Sequence, residues 1–172
     1  QNQAPVLASI ADQNLVENNE LTITLNANDA DGDALVYSVS GLPSFANHNT
    51  NQINFSPGFD AAGSYGPIIV TVSDGSLIDQ QSYQLTVTNN NRAPALAAIS
   101  NQTVLESETL VLTLNGSDAD NDPLIYTVTG LPSFANYNAS KITIAPGYDA
   151  AGTYGPISVT VTDGMDTDST TF

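Results

Sequence analysis

Two short segments, Asp29-Ala30-Asp31-Gly32-Asp33 and Asp118-Ala119-Asp120-Asn121-Asp122, each set three carboxylates within five residues. Like charges that close repel, so the arrangement is costly unless water or a cation screens it. Calcium takes about six to eight oxygen ligands and favours such clusters. An EF-hand loop is excluded by spacing. Its closing acid belongs at about the twelfth position, which is Ser40 counted from Asp29 and Thr129 counted from Asp118. The residues in between also read as strand.

Paired carboxylates can hydrolyse glycosides, but that chemistry needs an acid of raised pKa and a partner across a cleft, whereas these acids fall in turns. His48 is the only histidine, and Tyr137 stands at its repeat position, so neither a histidine metal site nor a catalytic triad can be assembled. No glycine-rich phosphate loop or nucleophile elbow is present. The reading is therefore non-enzymatic. The net charge of −16 comes from 18 acidic residues set against Arg92 and Lys141 alone. Nucleic acids and anionic membrane surfaces are poor partners for such a chain, and cations are good ones. Cysteine is absent, which rules out disulfides and thiolate metal sites. No apolar run approaches the roughly 20 residues of a membrane helix, so direct membrane insertion is not expected.

The elements that must position these acids are written twice. Asp29 recurs as Asp118 (118 − 29 = 89), and Gly41 to Asn47 recurs as Gly130 to Asn136 at the same offset without insertion or deletion. The chain is a tandem array of one module, with domains expected over 1–90 and 91–172. Leu21–Leu25, Leu110–Leu114, Leu35–Val39, Ile68–Val72 and Tyr83–Val87 are apolar runs, most of them alternating with polar residues, and are punctuated by Gly, Pro, Asn and Asp clusters. That pattern predicts short half-buried strands and an all-β sandwich in each module. Apolar residues shared by the two repeats form the expected core, among them Leu25/Leu114, Ile53/Ile142, Phe45/Phe134 and Val70/Val159. Tyr65 and Tyr154 are expected as packed corner tyrosines. The link, Thr88 to Pro94, is short and polar, and Pro94 holds Ala93 extended. Gln1 corresponds to Asn90 in that link, so the chain reads as an excerpt from a longer array. Phe172 corresponds to Tyr83, so the second module is expected to lack its last strand.

Asn91-Arg92-Ala93-Pro94, the Asp29–Asp33 turn followed by Leu35–Val39, Gly41–Ser44, Pro57–Tyr65 and Val70–Gly75 together resemble the bacterial cadherin-like repeat. This family borders the dystroglycan-type cadherin-like and immunoglobulin-like modules of large secreted proteins. The resemblance covers nearly the whole chain, twice, and implies two sandwiches joined end to end with calcium at the joint. The ligands it implies are Glu17 and Asp60 from the first module, Asn89 and Asn91 from the link, and Asp118, Asp120 and Asp163 from the second. Asp29, Asp31 and Asp74, with Asn2, make the matching half-site for a preceding module. The link carries Thr88 and three asparagines where cadherins carry aspartates, and Ala62 replaces a second acid. Fewer and weaker sites follow, with affinity on the order of 10⁻⁴ to 10⁻³ M. Arg92 offers the alternative of a salt bridge to Asp120 or Glu17 in place of an ion.

The function expected on these grounds is that of extracellular, cell-surface or secreted spacer and adhesion modules, stiffened by calcium. Their partners would be neighbouring modules and a cell-surface protein or glycan. One alternative is a carbohydrate-binding accessory module of a polysaccharide-degrading enzyme, with Tyr137 as its best exposed aromatic. Another is a filament subunit assembled by strand complementation.

Overall fold

The computed structural model describes all 172 residues, which divide into two compact units, Gln1–Asn90 and Asn91–Phe172. There is no helix in either. The first unit contains β1 (Val6–Leu7), β2 (Gln13–Val16), β3 (Leu21–Thr24), β4 (Ala27–Asn28), β5 (Val36–Ser40), β6 (Ala46–Asn49), β7 (Gln52–Phe55), β8 (Gly63–Ser73) and β9 (Ile78–Thr88). One sheet has the order β2-β9-β8-β5 and the other β3-β7-β6, while β1 pairs with β4. β2 runs parallel to β9, and the remaining pairs are antiparallel.

Alternation of apolar and polar residues decides which face of each strand turns inward. Ile53 and Phe55 come from one sheet and Val70, Val72, Leu85 and Val87 from the other. All are 2% exposed or less, and they form a continuous core. The strand expected over Leu35–Val39 is paired over Val36–Ser40, and the one expected over Ile68–Val72 extends from Gly63 to Ser73. A bulge between Tyr65 and Ile68 lets β8 continue past the Gly66-Pro67 step, where a proline lacks the ladder donor.

The repeated Gly-Leu-Pro-Ser segment has a steric explanation. Gly41 and Gly130 hold φ of +78° and +80°, and a Cβ on either would collide with the carbonyl oxygen of Pro67 or Pro156. Only glycine meets both demands.

The second unit contains β10 (Ala95–Leu96), β11 (Leu110–Thr113), β12 (Gly116–Ser117), β13 (Ile125–Thr129), β14 (Ala135–Asn138), β15 (Lys141–Ile144), β16 (Ser158–Thr162) and β17 (Thr167–Thr171). Its sheets are β11-β15-β14 and β13-β16-β17, with β10 paired to β12. Val159, Val161, Ile142 and Ile144 carry its core. On the opposite face of β13-β16-β17 the register aligns Thr127, Thr160 and Ser169 in one row and Thr129, Ser158 and Thr171 in the next. Residues 102–105, the counterparts of β2, form no strand. Beside them lies an open cleft of about 780 Å³ whose apolar border includes Val104, Leu110, Phe134, Ile144 and Ile157.

Candidate metal centre

Each acidic turn is organised by its first aspartate. Asp29 Oδ1 accepts the backbone N–H groups of Asp31 and Asp33 at 2.8 and 3.2 Å, and Asp118 Oδ1 accepts those of Asp120 and Asp122 at 2.8 and 3.1 Å. These are side-chain turns that fix the local backbone. They spend one carboxylate oxygen. The other oxygen, Asp29 Oδ2 in one unit and Asp118 Oδ2 in the other, is buried with no hydrogen-bond partner. In each triad the candidate ligand oxygens, of Asp29, Asp31 and Asp33 or of Asp118, Asp120 and Asp122, lie within 4.8 Å of one another.

The residues just before each module complete the arrangement in the same way twice. Asn2 Nδ2 donates to Asp74 Oδ2 at 2.9 Å, and Asn91 Nδ2 donates to Asp163 Oδ2 at 3.0 Å. The backbone N–H of Gln3 meets Asp31 Oδ2 at 2.7 Å, and that of Arg92 meets Asp120 Oδ2 at 2.7 Å. Asn91 Oδ1 is also buried and without a partner.

The two turns differ in one cation. Arg92 places its Nε 2.8 Å and a terminal nitrogen 2.6 Å from Asp120 Oδ1, and that terminal nitrogen also reaches Ala119 O at 2.9 Å. These hydrogen bonds hold the Asp120 carboxyl below the usual carboxylate range. In the first unit Gln3 occupies this place and offers only a 3.5 Å contact from Nε2 to Asp31 Oδ1. Asp163 is likewise lowered, first by the backbone N–H of Asp166 and then by Asn91 and Met165. Asp74 is lowered by the backbone N–H groups of Leu77 and Ser76.

The residues expected as ligands therefore separate into groups. Within the second unit the structure brings together Asn91, Asp118, Asp120 and Asp163, and within the first Asp29, Asp31 and Asp74. Glu17 is 1% exposed. Its Oε1 accepts the N–H of Ala62 at 2.6 Å and its Oε2 that of Asn90 at 3.1 Å, so it anchors link residue Asn90 to the first module. Asp60 and Asn89 are exposed. Arg92 pairs with Asp120.

Asp166 was not expected, yet its Oδ2 accepts Asn91 Nδ2 at 2.9 Å. Leu77 takes its place in the first repeat, so recurrence gave no signal. Asp79 and Asp168 were missed too. Their Oδ2 atoms accept Leu7 N–H at 2.8 Å and Leu96 N–H at 2.7 Å, fixing β1 and β10, and their recurrence was a readable sign.

Of the two expected corner tyrosines, Tyr65 is half-buried, whereas Tyr154 is 48% exposed and so is packed on one side only. Tyr65 and Tyr154 stand edge-on against Phe45 and Phe134 with ring centroids 4.9 Å apart, and their hydroxyls donate to Ala61 O and Ala150 O. Tyr148, at 82% exposed, is freer than Tyr137 at 40%, which corrects the choice of Tyr137 as the best exposed aromatic.

The family model described as "Putative Ig domain" matches residues 4–88 and again 93–172. Chitinase A of Pseudoalteromonas piscicida is 28% identical over 176 residues, covering 99% of this chain and 21% of that protein. The chain thus spans about a fifth of the curated relative it matches. Among solved structures, extracellular cadherin domains 1–4 of protocadherin gamma B7 align with a TM-score of 0.59 at 21% identity, covering 98% of this chain and 48% of that one. Human protocadherin-24 EC1-2 aligns with a TM-score of 0.55 at 19% identity, covering 93% and 86%. These likenesses establish the fold.

Proposed function

The chain belongs to the Putative Ig domain family, and on that premise we propose that its two cadherin-like modules are non-catalytic spacer units of a longer extracellular protein, each holding calcium at its acidic turn. The observation that carries this reading is the pair of buried carboxylate oxygens without partners, Asp29 Oδ2 and Asp118 Oδ2, at equivalent positions. Buried polar atoms are nearly always satisfied, and a charged one more stringently than a neutral one. The donor set is all oxygen, which suits calcium over softer metals. When bound, the ion supplies positive charge to carboxylates that otherwise repel. Asn91 and the Arg92 backbone belong to the link, so an ion held beside them ties the link to the second module.

Thermal unfolding of the 172-residue chain in EDTA and in about 10 mM calcium tests the reading. For a dissociation constant on the order of 10⁻⁴ to 10⁻³ M, linkage predicts about 1.4 to 2.7 kcal/mol of stabilisation per site. Asp118→Asn should remove the effect from the second module. A melting profile indifferent to calcium would refute the proposal.

A second reading is favoured by the similarity to a chitinase over almost the whole of this chain. The modules would then be accessory units of a polysaccharide-degrading enzyme, contributing reach or substrate contact while catalysis resides elsewhere. Retention of the chain on insoluble polysaccharide separates contact from reach alone.

A further inference from the structure

We propose that the outward face of the β13-β16-β17 sheet is a docking surface for an uncharged polysaccharide. The proposal rests on the accessory-module reading and assigns it a surface. The aligned rows Thr127–Thr160–Ser169 and Thr129–Ser158–Thr171 point away from the core that Val128, Val159 and Val161 fill. A third row, Ile125–Thr162–Thr167, completes nine outward positions, eight of which are hydroxyl residues and none charged.

In a chain with 18 acids and a net charge of −16, the absence of any carboxylate from this face selects its partner. A polyanion is repelled by the molecule as a whole, and a polycation would seek the acidic turns. A neutral polymer rich in hydroxyls fits, because each Ser or Thr hydroxyl donates one hydrogen bond and accepts others. Ser158 pairs with Thr171 at 3.3 Å and Thr162 donates to Asp166 O at 2.8 Å, while the hydroxyls of the central row have no partner within the chain. Neighbouring strands lie about 4.8 Å apart and alternate residues along a strand about 6.7 Å apart. The face is thus a regular grid with spacings on the scale of a sugar ring. Stacking of two copies through it is disfavoured, since a dry sheet-to-sheet contact needs apolar faces and only Ile125 supplies one.

The first module carries a diluted version of the same face. Ser38, Thr71 and Gln80 form its central row, but Val36, Ile69 and Ile78 interrupt the others. The second module should therefore dominate binding.

The test is retention of the 172-residue chain on colloidal chitin and on microcrystalline cellulose, compared with Thr127→Val/Thr160→Val and with Thr113→Val on the other sheet. Valine keeps the shape and strand preference of threonine, and a melting curve checks that each variant folds. The double variant should lose about tenfold in retention, as expected from two forfeited hydrogen bonds, while Thr113→Val should match the parent. If the parent is retained and the double variant equally so, the surface is wrong although the accessory-module reading stands. Failure of the parent to bind either polymer overturns the docking surface together with any substrate-contact role. Sedimentation of the parent without polymer, abolished in the double variant, would mark the face as self-associating and overturn the proposal.

Discussion

Arg92 brings its guanidinium to 2.6 Å from Asp120 Oδ1 while its own backbone N–H holds Asp120 Oδ2 at 2.7 Å. One link residue thus engages both oxygens of one carboxylate. The first module has the same backbone contact, from Gln3 to Asp31, but no positive charge behind it. A tethered cation competes with a free one for the same carboxylate. Arg92→Gln should therefore tighten calcium binding by the second module about three- to tenfold, while Gln3→Arg should weaken binding by the first. Isothermal titration of both variants checks this, and equal affinities in parent and Arg92→Gln would show that the guanidinium does not compete.

Acid should unfold the modules, and the sign follows from the depressed carboxyls. Asp74, Asp120, Asp163 and Asp168 all sit below their ordinary pKa, held there chiefly by hydrogen bonds: from Leu77 and Ser76, from Arg92, from Asp166, and from Leu96 and Ser169. In the unfolded chain these groups take up protons first as pH falls. Their contribution is thus complete above the unfolded pKa and disappears as pH drops through the folded values, in a window below about pH 4. Melting temperatures measured from pH 7 down to pH 3 should hold level and then fall. Asp168→Asn should soften the decline of the second module. A melting temperature rising on acidification would contradict the hydrogen-bond assignments.

What the sequence made legible is what repeats or alternates locally. The 89-residue recurrence exposed both modules (118 − 29 = 89), and alternation located strands such as Leu110–Thr113 to within a residue of the expected Leu110–Leu114. The contacts of Asp79 with Leu7 and of Asp168 with Leu96 span 72 residues, and no local pattern announces such a bond. Glu17 illustrates the same gap. The cadherin resemblance implies a ligand there, yet the fold buries it against two backbone amides. The division of labour within Asp118, one oxygen for the turn and one left buried, is set by backbone geometry that residue types alone do not encode.

Glu17 and Glu106 occupy the same repeat position with opposite environments, one 1% exposed and the other on the surface. Removing Glu17 leaves the N–H groups of Ala62 and Asn90 without their acceptor. Glu17→Ala should destabilise the first module by about 3 kcal/mol, the cost of two hydrogen bonds to a charged group. In a module of this size that lowers its melting temperature by more than about 10 °C. Glu106→Ala should change stability by less than about 0.5 kcal/mol. Differential scanning calorimetry of both variants measures the contrast, and comparable losses would remove the anchoring role of Glu17.

Tyr83 is 2% exposed, and its hydroxyl is buried without a hydrogen-bond partner. Burial pushes its pKa up to about 12. The second repeat has Phe172 at this position, so the scaffold already accommodates the ring without the oxygen. A buried hydroxyl that loses its water and gains nothing in exchange costs about 1 to 3 kcal/mol. Tyr83→Phe removes that cost with little change in packing volume, and should stabilise the first module by about 1 kcal/mol, or about 4 to 8 °C. Urea titration with unchanged slope and a higher midpoint is the expected result. Destabilisation instead would mean that the hydroxyl is satisfied in solution, most simply by an ordered water, and that the second repeat reached phenylalanine by a different local packing.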